Sequence, residues 1–187
     1  MKKGWILLLA AICLFCTPTS EAEPRTGFGY NLGLASHSIS GTVQPGQGAS
    51  PGTKYSYRST GLSLGIDYQI ALTETISLNP FLMSSGERVS GDLADGTSAE
   101  HGILGIEGRF WLDRIFIGGH IARYSEALKN SSRGNAGAHG PGLGLVAGWE
   151  EDRAGLFVMT QVDRAKLHYT GSDNTLTGFR LSVGHRW

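Results

Sequence analysis

Apolar residues recur at every second position along this chain, and after residue 22 no stretch carries the long apolar pattern of a helix. Phe28, Tyr30, Leu32 and Leu34 alternate with Gly29, Asn31, Gly33 and Ala35. Leu62, Leu64, Ile66, Tyr68 and Ile70 alternate with Ser63, Gly65, Asp67 and Gln69. Ile76, Leu78, Pro80 and Leu82 share a face of a third segment, weakened by Pro80, which lacks a ladder donor. Leu104, Ile106, Phe110 and Leu112 stand opposite Gly105, Glu107 and Arg109. The second half repeats the scheme. Ile115, Ile117 and Ile121 oppose Phe116, Gly118 and His120, and Leu143, Leu145, Ala147 and Trp149 oppose Gly142, Gly144, Val146 and Gly148. Leu156, Val158, Thr160 and Val162 oppose Phe157, Met159, Gln161 and Asp163. Phe179, Leu181, Val183 and Trp187 oppose Arg180, Ser182 and Gly184. The pattern predicts eight strands and an all-β chain.

The links between these segments alternate in length. Gly41–Lys54, Gly86–Ala99 and Lys129–Pro141 are long and turn-rich, whereas Leu72–Thr75, Asp113-Arg114 and Glu151–Ala154 are short; only the last outer link, near Gly171–Asn174, breaks the trend. Such alternation predicts an antiparallel up-and-down transmembrane barrel with long outer loops and short periplasmic turns. A soluble barrel shows the same strand pattern with its apolar face turned inward.

What opposes the apolar face separates the two. A narrow eight-stranded barrel holds only side chains inside. Here the opposing positions are mostly Gly, Ser and Ala with scattered charges, and Lys is nearly absent from the strands. Small residues with a few ions suit a crowded polar lumen, so the apolar face is expected to meet lipid. Asp67, Glu107, Arg109, His120, Glu150, Asp163 and Arg180 are then an interior polar network, paired because unpaired charge is costly at low dielectric. Phe28, Tyr68, Phe110, Trp149 and Trp187 fall at one strand end on the apolar face, as a periplasmic aromatic girdle. Arg58, Arg123, Arg164 and Lys166 have outward parity near the other rim, where charge costs only about 0–1 kcal/mol; contact with lipopolysaccharide phosphates is one reading, ordinary solvated charge the other. In hydrocarbon an open sheet edge is untenable, so the first and last strands are expected to pair.

The N-terminus sets the compartment. Met1-Lys2-Lys3 precedes an apolar run from Gly4 to Phe15, too short for a comfortable membrane span, and Ser20-Glu21-Ala22 suits a signal peptidase. The expected organisation is a cleaved signal peptide, 1–22, and a barrel domain, 23–187; an uncleaved anchor is the alternative. Both cysteines, Cys13 and Cys16, lie in the leader, which leaves the mature chain without disulfide or cysteine metal site. The full chain has 16 basic and 16 acidic residues; loss of Lys2, Lys3 and Glu21 leaves 14 against 15, a net charge of −1. Nothing there suits a nucleic-acid binder.

The ending Phe179-Arg-Leu-Ser-Val-Gly-His-Arg-Trp187 resembles the C-terminal strand of bacterial outer-membrane barrels, which finish in an aromatic residue preceded by apolar residues at alternate positions. Trp187, Val183, Leu181 and Phe179 match and His185 departs. With the leader and eight segments, the chain resembles the small OmpA/OmpX class. The resemblance implies location in the bacterial outer membrane and insertion by the barrel assembly machinery. It implies no shared activity.

Candidate chemistry is thin. Arg123-Tyr124-Ser125 faintly resembles the His-x-Ser region of lipid A deacylases, but a guanidinium cannot take the serine proton, and His120 approaches Ser125 only if the strand bulges. His37, His101, His120, His139, His168 and His185 show no paired metal-ligand spacing. No catalytic residue, metal or cofactor is expected. The reading favoured is a monomeric structural or surface-interaction barrel, non-pore or at most a very narrow pore, whose partners are outer-membrane lipid, lipopolysaccharide and a surface ligand unnamed by any motif. A lipid A-modifying enzyme, deacylase or acyltransferase-like, is the alternative, and a soluble periplasmic binding barrel the third reading.

Overall fold

The computed structural model describes residues 26–43, 52–93, 96–130, 134–151, 155–169 and 172–187. The expected leader lies outside them. Eight strands follow in order: β1 (Gly27–Val43), β2 (Lys54–Ala71), β3 (Ile76–Gly91), β4 (Thr97–Leu112), β5 (Ile115–Asn130), β6 (Gly134–Glu150), β7 (Leu156–Tyr169) and β8 (Ser172–Arg186). Each pairs with the next, and β8 pairs antiparallel with β1, closing the barrel. At the seam Phe28 N donates to Trp187 O over 3.1 Å and Trp187 N returns a bond to Phe28 O over 3.0 Å. Closure gives the backbone groups of β1 and β8 partners in each other, which hydrocarbon demands.

Registers set the shape. Stepping through partners Gly29, Asp67, Phe81, Gly105, Ala122, Gly142, Ala165 and Leu176 returns to β1 at Ile39, ten residues beyond the start. A shift of that size over eight strands tilts them by about 40° and gives a backbone radius of about 8 Å. Such a cylinder has room for side chains and little else. Each residue then climbs about 2.5 Å along the axis.

The two faces are inverted relative to a soluble barrel. Large apolar side chains line the outside, among them Ile121 at 72 % and Leu145 at 69 % exposure, while Asp67, Glu107, Arg109 and Arg180 are buried. With the tilt allowed for, the last outward apolar residues of the strands are Leu34, Leu62, Leu82, Leu104, Ile121, Leu143, Val162 and Phe179. They fall within about 7 Å of one level. Beyond them the outward face carries Ser36, Thr60, Ser84, Arg123, Arg164 and Thr177. The belt from there down to Leu72 and Leu112 is about 20–25 Å tall, close to the height of the apolar band on outer-membrane barrels.

The strands run further outward than the turn-rich composition suggests. Most of Gly86–Ala99 and Lys129–Pro141, expected as loops, is paired sheet: Arg88 pairs with Ser98, and Gly134 to Pro141 pair with Asn130 to Arg123. Above the belt the outward face meets water, so hydrophobic alternation fades while backbone pairing persists. Pro80 does not end β3. It stands opposite Ile106 of β4, and the β2 ladder skips it, passing from Asp67–Phe81 to Ile70–Leu78, because a ring nitrogen has no hydrogen to donate. The tight link between β4 and β5 turns at Asp113, whose φ of 57° an aspartate tolerates better than most residues.

Candidate functional site

The lumen is filled in layers. At the lower end Arg186 Nε donates to both oxygens of Glu150 at 3.2 and 3.3 Å, and its Nη1 donates to Asp67 Oδ2 at 2.9 Å. Arg109 Nε donates to Glu107 Oε1 at 2.5 Å and Nη1 to Gln69 Oε1 at 3.2 Å; Nη2 lies 3.9 Å from Asp67. The Arg109 guanidinium also covers the Phe116 ring at 4.4 Å. Higher up, His120 Nε2 lies 3.1 Å from Asp163 Oδ1 and 2.9 Å from the Tyr124 hydroxyl. Arg180 Nη1 donates to Gln161 Oε1 at 3.3 Å and lies 3.7 Å from Asp163. His120 Nδ1, 3.8 Å from Glu107, links the two groups.

The structure thus brings Asp67, Glu107, Arg109, His120, Glu150, Asp163 and Arg180 into one connected interior set. Contacts bridge non-adjacent strands inside the lumen: Arg180 of β8 meets Met83 Sδ of β3 at 3.1 Å, and the Phe81 and His120 rings of β3 and β5 meet edge-on at 5.3 Å. Sequence reasoning missed Arg186, which has the inward parity of Arg180 but stands in a tail read for its apolar side.

A further layer sits about 7–15 Å above the belt. His37 Nδ1 lies 2.8 and 3.0 Å from the Glu87 oxygens, and His101 Nε2 lies 3.5 Å from Glu87 and 3.7 Å from Glu126. Tyr57 donates its hydroxyl to Glu126 at 2.9 Å, and the Tyr169 hydroxyl also donates to Glu126. Burial opposes ionisation of Glu87, but its hydrogen bonds and charge interaction with His37, with His101 adding, hold the carboxyl at about 2. Burial pushes the His101 imidazole down to about 3, with His37 adding and Glu87 opposing. Burial also raises the Glu126 carboxyl, against the Tyr169 and Tyr57 hydroxyl bonds. Glu87 gives no local signal in the sequence, because it stands among the turn-forming residues of Gly86–Ala99.

On the outside, Phe28, Tyr68 and Trp187 form one aromatic cluster, with ring centroids 5.8 and 6.1 Å apart about Phe28. Tyr30 and His185 join it, each ring within about 6 Å of Trp187, so the departing His185 serves as a flat ring there. Phe110 and Trp149 face outward on other strands, apart from that cluster. Arg58, Arg123, Arg164 and Lys166 are exposed, on the outward face beyond the belt. Ser125 also faces outward, its hydroxyl donating to the Gly102 carbonyl at 3.3 Å. His120 lies on the other side of the barrel wall, and no bulge brings the two together.

No family profile and no curated protein matches the sequence. Solved structures do match. Ail, the attachment invasion locus protein of Yersinia pestis, superposes with a TM-score of 0.56 at 10% identity, over 86% of this chain and 99% of that one. The fold is that of small outer-membrane barrels. Neisserial surface protein A gives 0.53 at 9% identity, over 86% and 99%. The outer membrane protein AlkL, solved in lipid bilayers, gives 0.53 at 14% identity, over 92% and 95%. At such identities the likeness carries architecture alone.

Proposed function

We propose that this protein is an outer-membrane barrel of the OmpA/OmpX kind with a structural or surface-interaction role, neither catalytic nor an open pore. The observation that carries the reading is the inverted arrangement of its faces: a level apolar belt about 20–25 Å tall outside, and interlocked ions inside. Hydrocarbon is the solvent that such an exterior suits. The side chains meeting inside the lumen argue for a plug, and the interior polar network for a fixed one.

Export by the leader at residues 1–22, insertion by the barrel assembly machinery through the β8 end, and a monomeric state complete the proposal. Phe28, Tyr68, Phe110, Trp149 and Trp187 anchor the periplasmic interface. Arg58, Arg123, Arg164 and Lys166 meet the phosphates of lipopolysaccharide just above the belt, where guanidinium forks suit phosphate oxygens. A polyanion on this fold has a parallel, since Ail was solved with the heparin analogue sucrose octasulfate. The outer strand ends are the surface offered to any further ligand.

Fractionation with heat-dependent gel mobility tests the reading. The protein should sediment with the outer membrane, need detergent for extraction, and run as a compact band unless boiled. Recovery as a folded monomer in plain buffer would overturn it.

A further inference from the structure

The geometry points to a divalent metal site of the zinc class, built from His37 of β1, Glu87 of β3 and His101 of β4 in the outer part of the lumen. The three side chains are buried, and one donor atom from each lies within 4.8 Å of the others. Glu87 is the centre: His37 Nδ1 stands 2.8 Å from one of its oxygens and His101 Nε2 3.5 Å from the other. Zinc held by imidazole nitrogen and carboxylate oxygen at about 2.0–2.2 Å in a tetrahedron sets its donors about 3.3 Å apart. The two His–Glu separations bracket that figure, and the two imidazole nitrogens lie within 4.8 Å of each other, so the rings close on the ion as it enters. The His37 and His101 rings, 4.2 Å apart and tilted by 33°, both reach the same carboxylate.

The donor set selects the ion. Two imidazoles and one carboxylate suit zinc and its transition-metal neighbours, whereas calcium and magnesium require six or more oxygens. The fourth position has a candidate in Glu126, whose Oε1 lies 3.7 Å from His101 Nε2 and whose carboxylate is steadied by Tyr57 and Tyr169. Ser59 Oγ, 3.2 Å from His101 Nε2, also faces the site. The cluster lies on the polar side of the belt, toward the outer opening, where an aqueous ion arrives without crossing hydrocarbon. Bound there, the ion ties three strands together across the lumen.

The competing reading is a hydrogen-bonded His–Glu–His cluster that only fills space. The test uses protein purified in detergent without a polyhistidine tag, stripped with chelator and titrated with Zn²⁺ by calorimetry. Co²⁺ serves as a spectroscopic probe. The expected result is one ion per barrel, a four-coordinate Co²⁺ spectrum, and a loss of affinity of at least about a hundredfold in Glu87→Gln and in the His37→Asn/His101→Asn double variant. His168→Asn, at an exposed residue bonded to Asp173, should bind as the parent does. Should either site variant fail to fold, the Co²⁺ spectrum of the parent decides. Absence of saturable binding, a six-coordinate spectrum, or binding that survives the double variant would overturn the site.

Discussion

Arg186 of β8 reaches past the first strand to Asp67 of β2, Nη1 donating to Oδ2 over 2.9 Å, while its Nε holds Glu150 of β6. One guanidinium thus fastens the closing strand to elements on both sides of it, at the lower end of the lumen. Gly29 makes this reach feasible, since a Cβ there would stand 2.5 Å from Asp67 Oδ1.

Replacing Arg186 by Gln should therefore strip two buried carboxylates of their shared partner. Breaking a buried pair from one side costs about 3–5 kcal/mol, so the compact unheated band should disappear at a clearly lower temperature. Adding Asp67→Asn and Glu150→Gln removes the stranded charges and should restore part of the loss. A variant as heat-resistant as the parent would show that the clasp contributes nothing.

Glycines on the two faces should differ sharply. A Cβ at Gly144 would stand 2.3 Å from His120 Cε1 and 2.6 Å from Asp163 Oδ1, inside the charged set; at Gly108, facing outward, it meets nothing within 4 Å. Gly144→Val should cost more than the usual 1–3 kcal/mol or so of overpacking and lower the folded yield in detergent. Gly108→Val should fold as the parent does. Equal yields for the two would contradict the packed lumen.

These two faces were largely legible from the sequence, because alternation assigns every residue of a strand once a few are placed. The strand ends were not. Above the belt the outward face loses its large apolar residues, and in β6 both faces carry mostly small ones, so Gly134 to Pro141 has the look of a loop while pairing with β5 residue by residue. The cluster of His37, Glu87 and His101 was illegible for a different reason. His37 and Glu87 are 50 residues apart, and only the ten-residue shift of register around the barrel raises them to one level. No local spacing encodes that.

The filled lumen predicts electrical silence. Arg180 touches Met83 across the lumen, and Tyr57 of β2 reaches Glu126 of β5, so buried side chains stand in the way of an ion at two levels. Purified protein in a planar bilayer should show no discrete conductance steps. Regular steps from the parent protein would mean that the interior ions move aside.

Charge reversal at Arg58, Arg123, Arg164 and Lys166 together should lower the lipopolysaccharide that copurifies with the barrel, several-fold at low salt. Residual binding by the parent should weaken as salt rises, since exposed charges are screened over about 8–10 Å at physiological ionic strength. The four lie outside the lumen, so heat-dependent mobility should be unchanged. Undiminished lipopolysaccharide in the reversed variant would leave these residues as plain solvated rim charge.

Ser125 gives the sharpest contrast between surface barrel and lipid A-modifying enzyme. Its hydroxyl bonds the Gly102 carbonyl, and Arg123, two residues away on the same face, is permanently cationic. The exposed partner across the sheet is His139 of β6, whose neighbour on β7 is His168, and the carboxylate of Asp173 is bonded to His168 instead. A serine nucleophile needs a base within hydrogen-bond reach and a group orienting that base. Here the orienting carboxylate serves the wrong imidazole. Ser125→Ala should therefore leave the acyl count of lipid A, measured by mass spectrometry on whole envelopes, identical to that of cells carrying the parent. A parent-dependent loss of one acyl chain that vanishes in Ser125→Ala would reverse the assignment and make His139 the residue to test next.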